Sequence, residues 1–365
     1  MKIAMIVPGG VDRSAEVRVI PALLSLIERL ARLHQLHVIA LYQEAAPASW
    51  ELRGAQVHNV GAGWSPVRAV RKLLSLDRGV RFDVVQSIFS GNCGLAAVLA
   101  ARRLRRPVCV HVAGGEHVSL PDIGYGGRLR WYGRMRERFV LGSATVISAA
   151  SDDAARWAEA HGVSVRRIPL GVDLRSWPPV APVAPDDGPA RLVHVASLNR
   201  VKDQDTLLQA LARLARRDVP FTLDIVGEDT LGGQVQRLAA KLGLESRVKF
   251  HGFLTHGRTR EVLRGARLHL VSSRHEAGPL AMLEAAICGV PTVGTAVGHL
   301  AEWSPEAALA VPVGDAAEMA SAIAGLIGDE PRRLRLAQAA QRRALAMDAD
   351  ETARRFLAMY AELAG

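Results

Sequence analysis

The chain of 365 residues carries 46 Lys and Arg against 36 Asp and Glu and is 49% apolar, a length that exceeds one comfortable core and suits two domains of about 180 residues. Cys93, Cys109 and Cys288 form no C-x-x-C pair, which argues against a disulfide framework or zinc knuckle and for a reducing compartment. No apolar run approaches the ~18 residues of a membrane span, and Met1-Lys2-Ile3-Ala4 reads directly into a strand without a signal-peptide pattern, so the expected location is cytoplasmic, with peripheral attachment to the inner face of a membrane as the extension.

In chain order, short apolar strands are predicted at 3–7, 36–41, 83–87, 108–112 and 145–147, and again at 192–196, 222–226, 248–251, 268–271 and 291–293, with amphipathic stretches between them. This alternation is the pattern of parallel sheets covered by helices on both faces. The segment Trp177-Pro178-Pro179-Val180-Ala181-Pro182-Val183-Ala184-Pro185 is too proline-dense for helix and divides the chain. The expected fold is α/β: two Rossmann-like domains with parallel sheets facing each other across a cleft. The expected bounds are 1–178, a linker at 179–190, 191–349, and a last segment at 350–365.

The most informative stretch is Ser272-Ser273-Arg274-His275-Glu276-Ala277-Gly278-Pro279-Leu280-Ala281-Met282-Leu283-Glu284, continuing to Ala285-Ala286-Ile287-Cys288-Gly289-Val290-Pro291. An apolar strand at 268–271 runs into a polar turn, Pro279 suits the first helical position and Gly289 the residue past the helix end. The predicted helix covers 279–288. In strand–loop–helix units of this kind, ligands bind at the carboxyl ends of the strands and phosphates at the helix start. Glu276 and Glu284 are eight residues apart, about 12 Å of rise and roughly 80° of rotation even on one continuous helix. Hydrolytic carboxylate pairs need roughly 5 to 9.5 Å. Two carboxylates this far apart suit a long ligand such as a nucleotide sugar, with Glu284 at ribose hydroxyls, Glu276 at sugar hydroxyls and the diphosphate between them. Glu284 lies among Met282, Leu283, Ala285, Ala286 and Ile287, where a carboxylate is costly unless it meets a polar ligand. A charge near the helix start, favourable to the dipole, is the other reading of Glu276.

Ala196-Ser197-Leu198-Asn199-Arg200-Val201-Lys202-Asp203 forms a second basic turn between strand and helix, where Arg and Lys neutralise a diphosphate. On exposed turns such residues are also simply solvated.

Together these segments resemble the retaining glycosyltransferases of family 4, which have the GT-B fold and an E-x7-E motif. Gly9-Gly10 resembles the amino-terminal glycine loop and Ile168-Pro169-Leu170-Gly171-Val172-Asp173 the interdomain signature. Leu223-Asp224-Ile225-Val226-Gly227-Glu228 and Phe250-His251-Gly252-Phe253 resemble the donor-domain strands, and Val311-Pro312-Val313-Gly314-Asp315 a late motif. The resemblance implies transfer of a hexosyl unit from a nucleoside diphosphate sugar, most commonly of UDP, to an acceptor hydroxyl with retention, in glycan, glycolipid or glycosylated-metabolite biosynthesis. It implies Glu276, Lys202 and Arg200 at the reacting centre, and Glu284, Gly278, Pro279, Leu280, Gly227 and Phe253 around the donor. Gly9, Gly10, Gly114 and His117 fall to the acceptor or diphosphate loop. No metal or cofactor is implied, and the last helix is expected to pack back on the first domain. Two departures stand out: Ser197 occupies the usual arginine position and Ala113 the usual histidine position. His117 flanks the latter from the loop, while His111, inside a strand, reads as a core residue. These departures keep open a second reading, a non-catalytic sugar-nucleotide binder or scaffold.

Residues 1–180 hold 24 Lys and Arg against 14 Asp and Glu, and residues 181–365 hold 22 against 22. The first-half excess gathers at Arg68 to Arg81, Arg102 to Arg106 and Arg128 to Arg138. The last cluster interleaves with Trp131, Tyr132, Met135 and Phe139, as an interfacial basic helix does. Contact with an anionic membrane or a phosphorylated, lipid-linked or glycan acceptor is one reading; solvated helix faces are the other. No nucleic-acid-binding pattern occurs, nor a dinucleotide fingerprint, phosphate loop or nucleophile elbow.

Overall fold

A computed structural model describes residues 1–63, 65–160, 162–183 and 188–364. The chain divides into two units, Met1–Gly171 with Ala349–Gly365, and Val172–Asp348.

The first unit contains β1 (Lys2–Val7), α1 (Pro21–Leu33), β2 (Gln35–Ala40), β3 (Ala48–Leu52), β4 (Ala55–Asn59), α2 (Ser65–Val80), β5 (Val84–Ile88), α3 (Asn92–Leu104), β6 (Val108–Val112), α4 (Trp131–Ser143), β7 (Val146–Ala149), α5 (Asp152–Glu159) and β8 (Val165–Arg167). Its strands lie in the order β3-β4-β2-β1-β5-β6-β7-β8. All neighbours are parallel except β3 and β4. That antiparallel pair was not expected. Its strands are polar (Ser49, Glu51, Gln56, His58, Asn59), and its two-residue turn places Arg53 and Gly54 both at positive φ, the conformation that matches strand twist in tight hairpins. The central strands are buried on both faces, which is why they read as unbroken apolar runs. The C-terminal helix, Ala349–Ala364, buries Ala353, Phe356, Met359 and Tyr360 in the same core as Leu23, Ile27 and Leu30 of α1. Thr352 Oγ1 accepts the Gly171 N–H at 2.9 Å and donates to the Pro169 carbonyl at 2.8 Å, fixing the helix where the unit ends.

The second unit contains β9 (Ala190–Val195), α6 (Gln204–Ala215), β10 (Phe221–Val226), α7 (Gln234–Lys241), β11 (Val248–Gly252), α8 (His256–Arg264), β12 (Leu268–Val271), α9 (Leu280–Ile287), β13 (Thr292–Thr295), α10 (Gly298–Trp303), β14 (Leu309–Val311), α11 (Ala316–Ile327) and α12 (Glu330–Leu345). All its strands pair in parallel, in the order β11-β10-β9-β12-β13-β14. The division between units falls within the Ile168–Asp173 signature rather than in the Pro-rich segment. Trp177 is buried in the core of the second unit, and the Val180 N–H donates to the Ile287 carbonyl at 3.0 Å. The expected linker at 179–190 is therefore strapped to this unit up to Val183, and its residues 184–187 lie outside the described residues.

Each sheet has one place where the strand order reverses: β1/β5 in the first unit and β9/β12 in the second. Chain leaving β9 and β12 goes to helices on opposite faces, so a crevice opens at their carboxyl ends. Gly227, just after β10, shapes one wall. Its φ is +153°, and a Cβ there would lie 2.0 Å from the Ala196 carbonyl oxygen. Gly227→Ala is expected to cost roughly 3 kcal/mol, whereas Gly243→Ala, also at positive φ but with nothing within 4 Å, costs about 1 kcal/mol. Urea unfolding of both variants checks this; equal costs would contradict the close approach of β10 to the β9 loop.

Candidate donor site at the β9/β12 crevice

The loop after β9 and the loop after β12 are joined side by side. The Arg274 N–H donates to the Val201 carbonyl at 2.8 Å, and Ser272 Oγ donates to the Lys202 carbonyl at 2.7 Å. At the end of this seam Lys202 Nζ pairs with Glu276. Glu276 Oε1 also accepts from Ser273 Oγ at 2.6 Å. The two side chains are 24% and 13% exposed, so the pair stands at the crevice edge, half out of water.

Three further contacts hold this seam from behind, and none was singled out from sequence. Thr295 Oγ1 donates to the Ser273 carbonyl at 2.6 Å. A Cβ on Gly298, at φ +47°, would lie 2.9 Å from the Glu276 carbonyl oxygen. His299, buried and 2.9 Å from Glu302 through Nδ1, sits so close to Gly278 that a Cβ there would meet Nε2 at 2.9 Å. Under the seam, His194 Nδ1 donates to the Leu270 carbonyl at 2.9 Å, while Nε2 faces the Gln204 amide at 3.2 Å. Burial pushes this imidazole down to about 4, so it stays neutral and ties β9, β12 and α6 together. A lone histidine in an apolar strand gives no sign of that role in the sequence.

Helix α9 begins one residue later than expected, with Pro279 as its N-cap and no side chain capping it. The Met282 N–H is met by the Pro279 carbonyl at 3.0 Å, while those of Leu280 and Ala281 precede the first intrahelical acceptor. At the other end Gly289, at φ +76°, terminates the helix: its N–H reaches the Ala286 carbonyl and that of Val290 the Ala285 carbonyl, at 3.0 and 2.9 Å. Glu284 lies in the middle of this short helix, 7% exposed. Its carboxylate forms no hydrogen bond or ion pair among the described residues, and burial alone pushes it up to about 7.

The remaining expected donor residues surround the same sheet edge. Arg200 is exposed on the β9 loop with no ion pair among the described residues, and Ser197, at the position where arginine was expected, is exposed beside it. Leu280 opens α9 and is half-buried. Phe253, beyond β11 at the sheet edge, is 54% exposed. Gly227 lies against the β9 loop as described above.

In the first unit, Gly9 and Gly10 follow β1 at its own point of reversal. A Cβ on Gly10, at φ +77°, would meet Ile20 at 2.5 Å, and the Gly10 carbonyl accepts the Ile20 N–H at 3.0 Å, so the tight turn accounts for Gly10; a Cβ on Gly9 would lie 3.2 Å from Gln43 Oε1. Gly114 lets Glu116 turn back, its Oε1 accepting the Ser90 N–H at 2.9 Å. Burial raises the Glu116 carboxyl. His117 does not reach outward from the loop as expected. It is buried in a short turn of helix, 3.4 Å from Asp153 and with its ring 5.4 Å from that of Trp157. His111 is a core residue: its Nδ1 lies 2.9 Å from Ser148 Oγ, and burial pushes it down to about 3.

With this geometry in view, comparison with known proteins defines the class. Residues 19–172 match the glycosyl transferase 4-like domain model and residues 180–343 the glycosyl transferases group 1 model. The chain is 30% identical over 304 residues to the D-inositol 3-phosphate glycosyltransferase of Frankia alni, a match covering 76% of this chain and 74% of that one. The chain therefore belongs to the group 1 glycosyltransferases, a family of transferase enzymes. The putative glycosyltransferase EpsF of Bacillus subtilis matches at 28% identity over 56% of this chain and only 54% of its own length. Two solved structures share the fold along the whole chain: sucrose-phosphate synthase from Thermosynechococcus elongatus (19% identity, TM-score 0.84, 100% of this chain and 99% of that one), and Anabaena HepE in complex with UDP and glucose (18% identity, TM-score 0.76, 100% of both chains). The fold is thus GT-B.

A carboxyl raised from 4.5 to about 7 in the folded protein leaves stability intact below the unfolded value and removes it as pH rises toward 7. Glu284→Gln, which keeps the shape of the protonated form, is expected to match wild type near pH 4.5 and to exceed its stability by roughly 3 kcal/mol at pH 8. Melting temperatures of both proteins across that range check the sign; a constant difference would show that Glu284 is not a buried titrating group.

Proposed function

We propose that this chain transfers a hexosyl unit from a nucleoside diphosphate sugar to an acceptor hydroxyl with retention at the anomeric carbon, in glycan, glycolipid or glycosylated-metabolite biosynthesis. The observation that carries the donor side is Glu284: a buried carboxylate without a hydrogen-bond partner among the described residues, in the helix that starts at the β9/β12 crevice. Ribose hydroxyls are neutral donors that would satisfy it without a second charge. Lys202 and Arg200 stand on the loop opposite, where two cations and the first N–H groups of α9 would neutralise the diphosphate. UDP is the nucleotide favoured here, since HepE was solved with UDP and glucose in the same fold. Phe253 would lie toward the base, and Glu276 toward the sugar hydroxyls.

In the reaction, the bond from the anomeric carbon to the diphosphate oxygen breaks and a bond to the acceptor oxygen forms on the same face. The acceptor proton passes to the departing phosphate oxygen. Lys202, Arg200 and the α9 amides stabilise the negative charge as it gathers on that group. This reading needs no metal or protein base, because cations and backbone dipoles meet the charge and the leaving group takes the proton. The first unit, which holds the positive excess, presents the acceptor: a small molecule, a glycan or a lipid-linked acceptor at an anionic membrane surface.

A thermal-shift panel of UDP, GDP, ADP and TDP on the wild type, Lys202→Ala and Glu284→Ala tests the donor site. At about 100 times the dissociation constant, a bound nucleotide adds about 2.7 kcal/mol. One nucleotide is expected to raise the wild-type melting temperature and neither variant's. No response to any of them at millimolar concentration would favour a non-catalytic scaffold.

A further inference from the structure

The outward side of α4 is unlike any other helix surface in the first unit. Trp131, Met135 and Phe139 follow one another at intervals of one turn, with Tyr132 beside them. Trp131 is 66% and Met135 62% exposed. Arg130, Arg134 and Arg138 form the neighbouring row at the same spacing. On the other flank, Arg102 of α3 lies over the Phe139 ring at 5.1 Å, and Arg103, Arg105 and Arg106 continue from it. Glu137, the one acid in α4, is buried on the opposite side and lies 3.3 Å from Arg128. Among the described residues, the outer side of α4 and the adjoining end of α3 thus carry seven exposed arginines and four large apolar side chains, and the one carboxylate of α4 is turned away. None of those seven arginines forms an ion pair among the described residues.

We propose that this face, the outer side of α4 with the end of α3, docks the first unit onto an anionic lipid bilayer. It rests on the reading of that unit as the acceptor side and names the surface it meets. An apolar row of Trp, Met and Phe bracketed by arginine on both flanks is the arrangement of an in-plane interfacial helix. The rings and thioether enter the headgroup boundary while guanidinium groups remain at phosphate level on either side. The charge chooses the occupant. A face with seven unpaired cations repels a second copy of itself and is attracted to anionic headgroups, each arginine adding to the attraction.

Co-sedimentation of the full chain with vesicles of phosphatidylcholine alone, or mixed with phosphatidylglycerol, tests the proposal. The wild type is expected on the mixed vesicles and not on the neutral ones. Arg134→Glu with Arg138→Glu, and separately Trp131→Ala with Met135→Ala, should each weaken partitioning about tenfold or more. Arg216→Glu with Arg217→Glu, two exposed residues of the second unit, removes the same charge and should leave partitioning unchanged. Equal loss in that control, or wild-type partitioning after the Trp131 and Met135 changes, would overturn the assignment of this face. Absence of binding together with self-association lost in the α4 variants would assign it to a second copy instead. Nucleotide-induced thermal shifts on the same α4 variants should match wild type, which separates failure of docking from failure of the donor site.

Discussion

The pair formed by Lys202 and Glu276 closes the seam between two loops that the topology drives apart. Strand order reverses between β9 and β12, and the helices that follow them leave on opposite faces. Without cross-links the crevice there would be a gap between two mobile turns. The Arg274 N–H on the Val201 carbonyl and the Ser272 hydroxyl on the Lys202 carbonyl bring the loops together, and the ion pair fixes their outer edge. At 24% and 13% exposure the pair is largely screened from water, and its consequence is positional: it fixes the Lys202 ammonium against Glu276, in the loop that leads into α9. Gly298 and Gly227 allow backbone approaches that a Cβ would block, and Gly278 admits the His299 ring.

Glu284 shows the opposite economy. Its carboxylate is buried and unpartnered among the described residues, a cost most proteins remove. A side chain that burdens stability at neutral pH and sits in the helix opening at the crevice is best explained by a ligand that supplies the missing hydrogen bonds. The first unit follows the same topological rule at β1/β5 but spends its polar interior differently. Glu116 is folded back onto backbone N–H groups, His117 is turned inward, and burial with only partial compensation from Arg128 pushes Glu137 up to about 7. Its distinctive chemistry is on the outside, in the arginine-rich face of α4.

The parallel strands were legible because burial on both faces makes them continuous apolar runs, and the fold class followed from their alternation with helices. The β3–β4 hairpin and β8 (Val-Arg-Arg) escaped because these edge strands carry polar residues, and β14 (Leu-Ala-Val) because three residues are too short a run to stand out. The domain division was misplaced because proline density signals the absence of helix, not the absence of contacts: Val180 and Trp177 are bound to the second unit. At the candidate site, Glu276, Glu284 and Lys202 were legible from type and spacing. Their supports were not, since Thr295, His194 and His299 lie in other strands and helices and meet the seam only through the tertiary fold. His117 was misread for the same reason. Its loop position suggested access, while Trp157 and Asp153 on α5, 36 or more residues away in sequence, draw it inward.

The central claim of the proposed donor site is that Glu276, through its ion pair, positions Lys202 to meet the diphosphate. A double-mutant cycle tests it directly: calorimetric affinity for the nucleoside diphosphate, without its sugar, in wild type, Lys202→Met, Glu276→Gln and the double variant. The account predicts a coupling of about 1 kcal/mol or more, with the Glu276 change having little effect once Lys202 is gone. Additive effects of the two substitutions would contradict it.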